Sequence, residues 1–153
     1  MENQIDPIDI RILSELTQDA EIPFVQLAKK LKVSNTLIHQ RVKKLKEKGI
    51  LRKARYEIDS YKVGFQTSAY TQIRLENNKY HSRIEDKLKQ IPEIVECVNI
   101  SGPYALLVKI LAKNNRHLRD IIYDKILEID GVENTNSTFS FETAFRRSLP
   151  VDL

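Results

Sequence analysis

Residues 27–51, LAKKLKVSNTLIHQRVKKLKEKGIL, constrain the fold more than any other stretch of the chain. Leu27, Ala28 and Leu31 recur at helical spacing, as do Ile38, Val42 and Leu45, and Lys32-Val33-Ser34 separates the two sets. Ser34 suits an N-cap, because its hydroxyl can accept a hydrogen bond from a free N–H of the helix that follows. Gly49 suits the helix end, where a left-handed residue closes the last turn. The pattern predicts two short helices joined by a tight turn, the second with one buried stripe and basic outer sides.

The formal net charge of +4 conceals a strong segregation. Residues 1–28 carry one basic residue against six acidic ones, and residues 29–55 carry eleven basic residues against Glu47 alone. Residues 56–153 hold the other thirteen basic and fourteen acidic residues. The whole basic surplus therefore lies in the predicted two-helix segment, as a polyanion-binding surface requires. No run approaches the roughly 18 apolar residues of a membrane span, so no membrane partner is expected. MENQIDPIDIRIL lacks the basic and apolar regions of a signal peptide. A single cysteine excludes an internal disulfide framework and fits a reducing, cytoplasmic location.

Upstream, Asp6-Pro7-Ile8-Asp9 reads as a helix start: a cap, a proline at the first position and an acid at the positive end of the dipole. Ile8, Ile12, Leu13 and Leu16 continue it, and Pro23 opens the next helix. Residues 50–58 alternate loosely, which predicts a small wing or a linking strand. Past about residue 60 the period changes. Ala69, Thr71, Ile73 and Leu75 mark a strand, and Ile84, Leu88 and Ile91 a helix ended by Pro92. Ile94–Ile100 is rich in β-branched residues. After the turn Ser101-Gly102-Pro103, Tyr104–Leu111 reads as a strand. Leu118, Ile121, Ile122, Ile126 and Ile129 mark a helix closed by Gly131. A last strand is expected near Glu133–Thr143, with Phe139 and Phe141 on one face. The order β-α-β-β-α-β is the ferredoxin-like, split-βαβ pattern. An α+β chain follows, with a helix-turn-helix domain over residues 1–59, a linker over 60–66 and an α/β sandwich over 67–153. Each half is near the lower size limit for independent stability, which favours self-association.

With Ile38, Val42 and Leu45 turned inward, the predicted recognition helix presents Asn35, Thr36, His39 and Gln40 near its start, behind the cap Ser34. Asn and Gln can pair bidentately with adenine, and Thr can meet a base or a methyl group. Lys43, Lys44 and Arg52, with Lys46, Lys48, Lys53 and Arg55, suit phosphates, which set affinity and register. Double-stranded DNA is the partner this arrangement fits.

IDPIDIRILSELTQDAEI, LAKKLKVSNTLIHQRVKKLKEKGIL, SGPYALLVKI and GVENTNST together resemble the Lrp/AsnC (leucine-responsive regulatory protein/asparagine regulator) family of transcription regulators. The resemblance covers almost the whole chain. It implies an N-terminal winged helix-turn-helix and a C-terminal RAM-type (regulation of amino-acid metabolism) α/β sandwich. It also implies homodimers built through the sheets, assembled into tetramers or octamers, and a small effector, usually an amino acid, bound between subunits. Ser101, Gly102, Tyr104, Thr135 and Ser137 are the effector-site residues it suggests. Ala105 stands where the family commonly has an acidic residue.

An enzyme is not expected, nor a cofactor. His39, His81 and His117 lack metal-ligand spacing, no phosphate-binding glycine motif is present, and Cys97 lies in an apolar strand pattern that predicts a core position. Two other readings share parts of the pattern. RNA-recognition modules have the same split-βαβ order, but their central strands need exposed aromatics, which ALLVKIL lacks. A metabolite-sensing protein with incidental DNA binding would have the same second half.

Overall fold

The computed structural model describes residues 5–151. They form two compact units, one of residues 5–57 with 145–151 and the other of residues 58–144.

The first unit holds α1 (Pro7–Gln18), α2 (Phe24–Leu31) and α3 (Asn35–Glu47). The Asp6 carboxylate accepts from the N–H groups of Ile8 and Asp9, while the Asp9 carboxylate accepts from Asp6 N–H, so the first free donors of α1 are satisfied reciprocally. Between α2 and α3, Lys32 takes the left-handed conformation (φ 56°) that turns the chain sharply. Ser34 Oγ then accepts from Leu37 N–H at 3.1 Å and starts α3. At its other end Gly49 (φ 69°) donates to Lys46 O and Ile50 donates to Leu45 O, the double bond of a Schellman ending. Ile12, Leu27 and Ile38 are fully buried at the centre, with Leu13, Ala28, Leu31, Val42 and Leu45 around them. The final segment belongs here too: Val151 packs on this core, Ser148 Oγ donates to Thr17 O, and Arg146 pairs with Glu57 at 3.4 Å. The strand or wing expected over residues 50–58 does not form. A strand needs a partner ladder, and among the described residues no strand lies between α3 and residue 67.

The second unit runs β1 (Thr67–Leu75), α4 (His81–Leu88), β2 (Ile94–Asn99), β3 (Leu106–Ala112), α5 (Asn115–Asp120, continued by a π-helical turn Ile121–Ile126) and β4 (Val132–Ser140). The sheet order is β2-β3-β1-β4 with every neighbour antiparallel, the expected split-βαβ topology. Alternation decides its faces. Ala69, Ile73, Leu106, Val108, Ile110 and Ala112 form one core with Ile84 and Leu88 of α4 and with Leu118, Ile121 and Ile126. Thr71 lies in the same row, and its hydroxyl is bonded to Ser137 Oγ at 2.9 Å, which satisfies a polar group that is fully buried. Gly131 (φ 95°) has no substitute, since a Cβ there would fall 2.6 Å from the Tyr80 ring. On the other face Tyr70, Gln72, Arg74, Leu107 and Leu111 are half-buried, and the Lys109 ammonium lies 5.5 Å from the centre of the Tyr70 ring.

Two expectations need correction. Cys97 is exposed, because β2 is an edge strand and its residues are covered on one side at most. The last strand ends at Ser140, where its partner β1 begins, so Phe141 lies beyond the ladder and is fully exposed.

Candidate nucleic-acid interface and effector region

α3 is held by its stripe Ile38-Val42-Leu45 and by one ion-pair cluster that the local sequence does not announce. Arg41 pairs with Asp6 and lies 3.5 Å from the buried Asp9 carboxylate, fastening α3 to the capped start of α1. The hydrogen bond from Asp9 N–H holds the Asp6 carboxyl below its ordinary range; its burial opposes that, and Arg41 adds to it. This arginine is therefore a clamp within the fold rather than part of the outer basic face.

Asn35, Thr36, His39, Gln40, Lys43 and Lys44 are all exposed on α3. Thr36, Gln40 and Lys43 fall at i, i+4 and i+7, a strip opposite the buried one. Asn35 and His39 flank it on the side of α2, where His39 packs edge-on against Phe24 with ring centres 4.8 Å apart. Ser34 is exposed, with its hydroxyl oxygen engaged as the cap and its O–H available to donate. Lys43 pairs loosely with Glu47 at 3.8 Å. Lys44, Lys46, Lys48, Arg52, Lys53 and Arg55 form no ion pair with any described residue. Arg52 lines an open cleft of this unit beside Lys46, Lys53, Leu16 and Phe24. Such a surface can neutralise a row of phosphates while the strip between them reaches base edges.

The five suggested effector residues are not gathered into one cavity within a single chain. Thr135 and Ser137 pair with Ile73 and Thr71 and so share the helix-side row of the sheet. Ser101 and Gly102 (φ 110°) lie exposed in the loop before β3. Tyr104 reaches the opposite face, where the Arg74 guanidinium lies 5.2 Å from its ring centre. Arg74 also lies 3.9 Å from Glu133. Sequence reasoning did not single out this pair. Arg74 reads as an ordinary outward position of β1, and the pairing shift that places Glu133 leaves no mark on the sequence.

The thiol of Cys97 is pushed above its ordinary value, by burial first and by the charge of Glu85 second, which keeps it protonated and weakly nucleophilic. The histidines are dispersed: His81 faces Glu85 at 3.8 Å, His117 faces Glu93 at 3.2 Å, and His39 packs on Phe24. Among the described residues no three metal-ligating side chains cluster.

A helix-turn-helix with an unpaired cationic face, joined in one chain to a split-βαβ sheet unit, defines a DNA-binding regulator that carries a second, ligand-binding domain. Comparison with known proteins agrees domain by domain. Residues 5–52 match the winged helix-turn-helix DNA-binding family, and residues 68–150 match the Lrp/AsnC ligand binding domain. The chain is 30% identical to the regulatory protein AsnC of Haemophilus influenzae over 147 residues, covering 96% of this chain and 98% of that one. It is 32% identical to the HTH-type transcriptional regulator FL11 of Pyrococcus furiosus over 137 residues, covering 90% and 89%. The solved structure of Escherichia coli AsnC superposes with a TM-score of 0.89 at 27% identity, covering 95% of this chain and 98% of that one. A Neisseria meningitidis transcriptional regulator solved with L-Met shares the fold, with a TM-score of 0.91 at 20% identity and coverage of 97% and 98%. The chain belongs to the Lrp/AsnC family of transcription regulators. It is a DNA-binding regulator and not an enzyme, and the fold is the α+β arrangement of that family.

Proposed function

We propose that the chain reads specific duplex sites with α3, as a homo-oligomer whose grip on DNA responds to an amino-acid effector. The observation that carries the DNA part is the row of unpaired cations, Lys44, Lys46, Lys48, Arg52, Lys53 and Arg55, beside the outward strip of Thr36, Gln40 and Lys43. Thr36, Gln40, Asn35 and His39 contact bases, and Ser34, Lys43, Lys44 and Arg52 contact phosphates. In this division residues 1–59 bind DNA, 60–66 link, and 67–153 sense and assemble. Self-association is supported by the sheet face away from the helices, which presents the half-buried side chains Tyr70, Leu107 and Leu111. A homodimer through that face is the basic unit, and tetramers or octamers are built from it. The effector reading is supported by the match of residues 68–150 to a ligand-binding domain and by the relative solved with L-Met. Ser101, Gly102, Tyr104, Thr135 and Ser137 line the site once a second copy completes it. The protein acts in the cytoplasm, alongside the DNA it reads.

Gel shifts test the central claim. DNA from upstream of the protein's own gene should outcompete random duplex of equal length, with half-sites about one helical turn apart or a multiple of it. Equal competition by random DNA refutes sequence-specific reading. An amino acid that gives binding heat but leaves DNA affinity unchanged favours a metabolite sensor instead.

A further inference from the structure

Among the described residues, Arg41 alone of the cations in residues 29–55 faces two carboxylates. It pairs with Asp6 and lies 3.5 Å from Asp9, whose side chain is only 6% exposed. Asp9 Oδ1 is buried and accepts no hydrogen bond from any described residue, so Arg41 is the group that answers its charge. Asp9 Oδ2 is turned to the Asp6 N–H, while the Asp6 carboxylate accepts from Ile8 and Asp9 N–H. Both carboxylates are thereby anchored at the start of α1, and the guanidinium that reaches them is fixed in turn.

This hold is directional where the apolar packing of α3 is not. Ile38, Val42 and Leu45 pack into the helical core. Such contacts tolerate a small rotation of the helix about its own axis, because burial follows area rather than angle. A charge-assisted pair with anchored carboxylates does not tolerate it. Arg41 lies about 60° round the helix from Ile38 and about 100° from Gln40, so it sits at the edge of the buried stripe on the side of Gln40. Side-chain tips stand about 5–6 Å from a helix axis, so a roll of about 10° carries them about 1 Å. That exceeds the window of about 0.5 Å in which a hydrogen bond to a base edge forms. A lysine ammonium on its flexible stem follows a phosphate through the same roll.

We propose that Arg41 is a positioning residue for base reading: held by Asp6 and Asp9, it sets the roll of α3 at which Thr36 and Gln40 meet base edges, and it touches no DNA itself. The proposal rests on the sequence-specific reading above and goes beyond it, because it assigns specificity to a residue on the inner side of the helix. Binding to DNA of any sequence stays with the unpaired cations.

Gel-shift competition on the full chain tests it, with DNA from upstream of the protein's own gene against random duplex of equal length. Arg41→Met alone would strand the buried Asp9 charge, so it is combined with Asp9→Asn, which also leaves the net charge unchanged. Asp6→Asn is the second variant, since asparagine caps a helix about as well as aspartate. The combined variant should bind the upstream site about tenfold more weakly, the usual discrimination of one bidentate base contact. Its affinity for random duplex and its salt slope should match the natural chain, because phosphate contacts set both. Asp6→Asn should lower the ratio of the two affinities by a smaller factor. Gln40→Ala should cost the combined variant less than it costs the natural chain, because the contact is already misplaced. Equal losses for both DNAs, with a salt slope reduced by about one, make Arg41 a phosphate contact and refute the proposal. Unchanged discrimination in both variants refutes it while the sequence-specific reading stands. If thermal melting shows the combined variant unfolded, the affinity ratio of Asp6→Asn decides. If the natural chain itself shows no preference for the upstream site, the sequence-specific reading falls and takes the positioning role with it.

Discussion

The basic stretch around α3 and the charged residues of the sheet unit handle charge in opposite ways. Lys44, Lys46, Lys48, Arg52, Lys53 and Arg55 stand without ion pairs among the described residues. In the sheet unit Glu93 holds Lys125 at 2.9 Å and His117 at 3.2 Å, Arg83 holds Asp130 at 2.9 Å, and Arg74 faces Glu133. Solvated, unpaired cations cost little to keep and gain by releasing the counterions of a polyanion. Charges paired with one another fix local geometry instead. One unit is built for a long, uniformly charged partner, the other for shape and for local dipoles.

The harshest way to break the contrast is to unseat α3 without touching a charge. Ile38→Ala should cost about 3 kcal/mol, the usual loss for a fully buried isoleucine. It should abolish DNA binding, and hydrogen exchange should accelerate mainly in residues 5–57. Equal acceleration across residues 67–140 would show that the two units do not behave separately. In the sheet unit, Gly131→Ala meets both a positive φ and the Tyr80 ring, and should cost about 2 kcal/mol in urea unfolding.

Smaller changes sharpen the division on α3. Gln40→Ala should leave stability unaltered and cost about 1–2 kcal/mol at a single base position, read by competition with singly substituted duplexes. Lys44→Ala should instead weaken binding to all sequences alike and reduce the salt slope by about one. Lys43→Ala should do so less, because Glu47 already offsets part of that charge. If Gln40→Ala and Lys44→Ala behave alike, the division into base and phosphate contacts is wrong.

The smallest effect is that of acid on the α1–α3 clamp. The folded Asp6 carboxyl titrates below its ordinary value of 3.8, so its ionised form stabilises the fold above that pH. The contribution fades as pH falls through the depressed folded value. Urea midpoints measured downward from pH 5 should show this for the natural chain, and Asp6→Asn should remove that part of the slope.

Local rules accounted for much of the architecture. Asp6-Pro7, Ser34 and Gly49 placed helix ends because caps satisfy backbone groups within a few residues of themselves. Ile38-Val42-Leu45 and Ala69-Thr71-Ile73-Leu75 identified buried faces because side-chain direction follows from the helical and strand periods alone. The segregation of charge over residues 29–55 located, before any coordinate, the cations that stand without ion pairs among the described residues. What failed needed distant partners. Residues 50–58 alternate as a strand might but find no ladder, and Cys97 reads as core until β2 proves to be an edge.

The sequence by itself determined the helix-turn-helix, the order of the split-βαβ elements and the outward residues of α3, because each depends on spacing within one element. Only the tertiary structure decided that Arg41 fastens α3 to Asp6 and Asp9, that residues 145–151 join the helical unit, and that a bulge turns Glu133 toward Arg74. Those are pairings across 30 to more than 100 residues of chain, and no local propensity encodes which distant group will arrive.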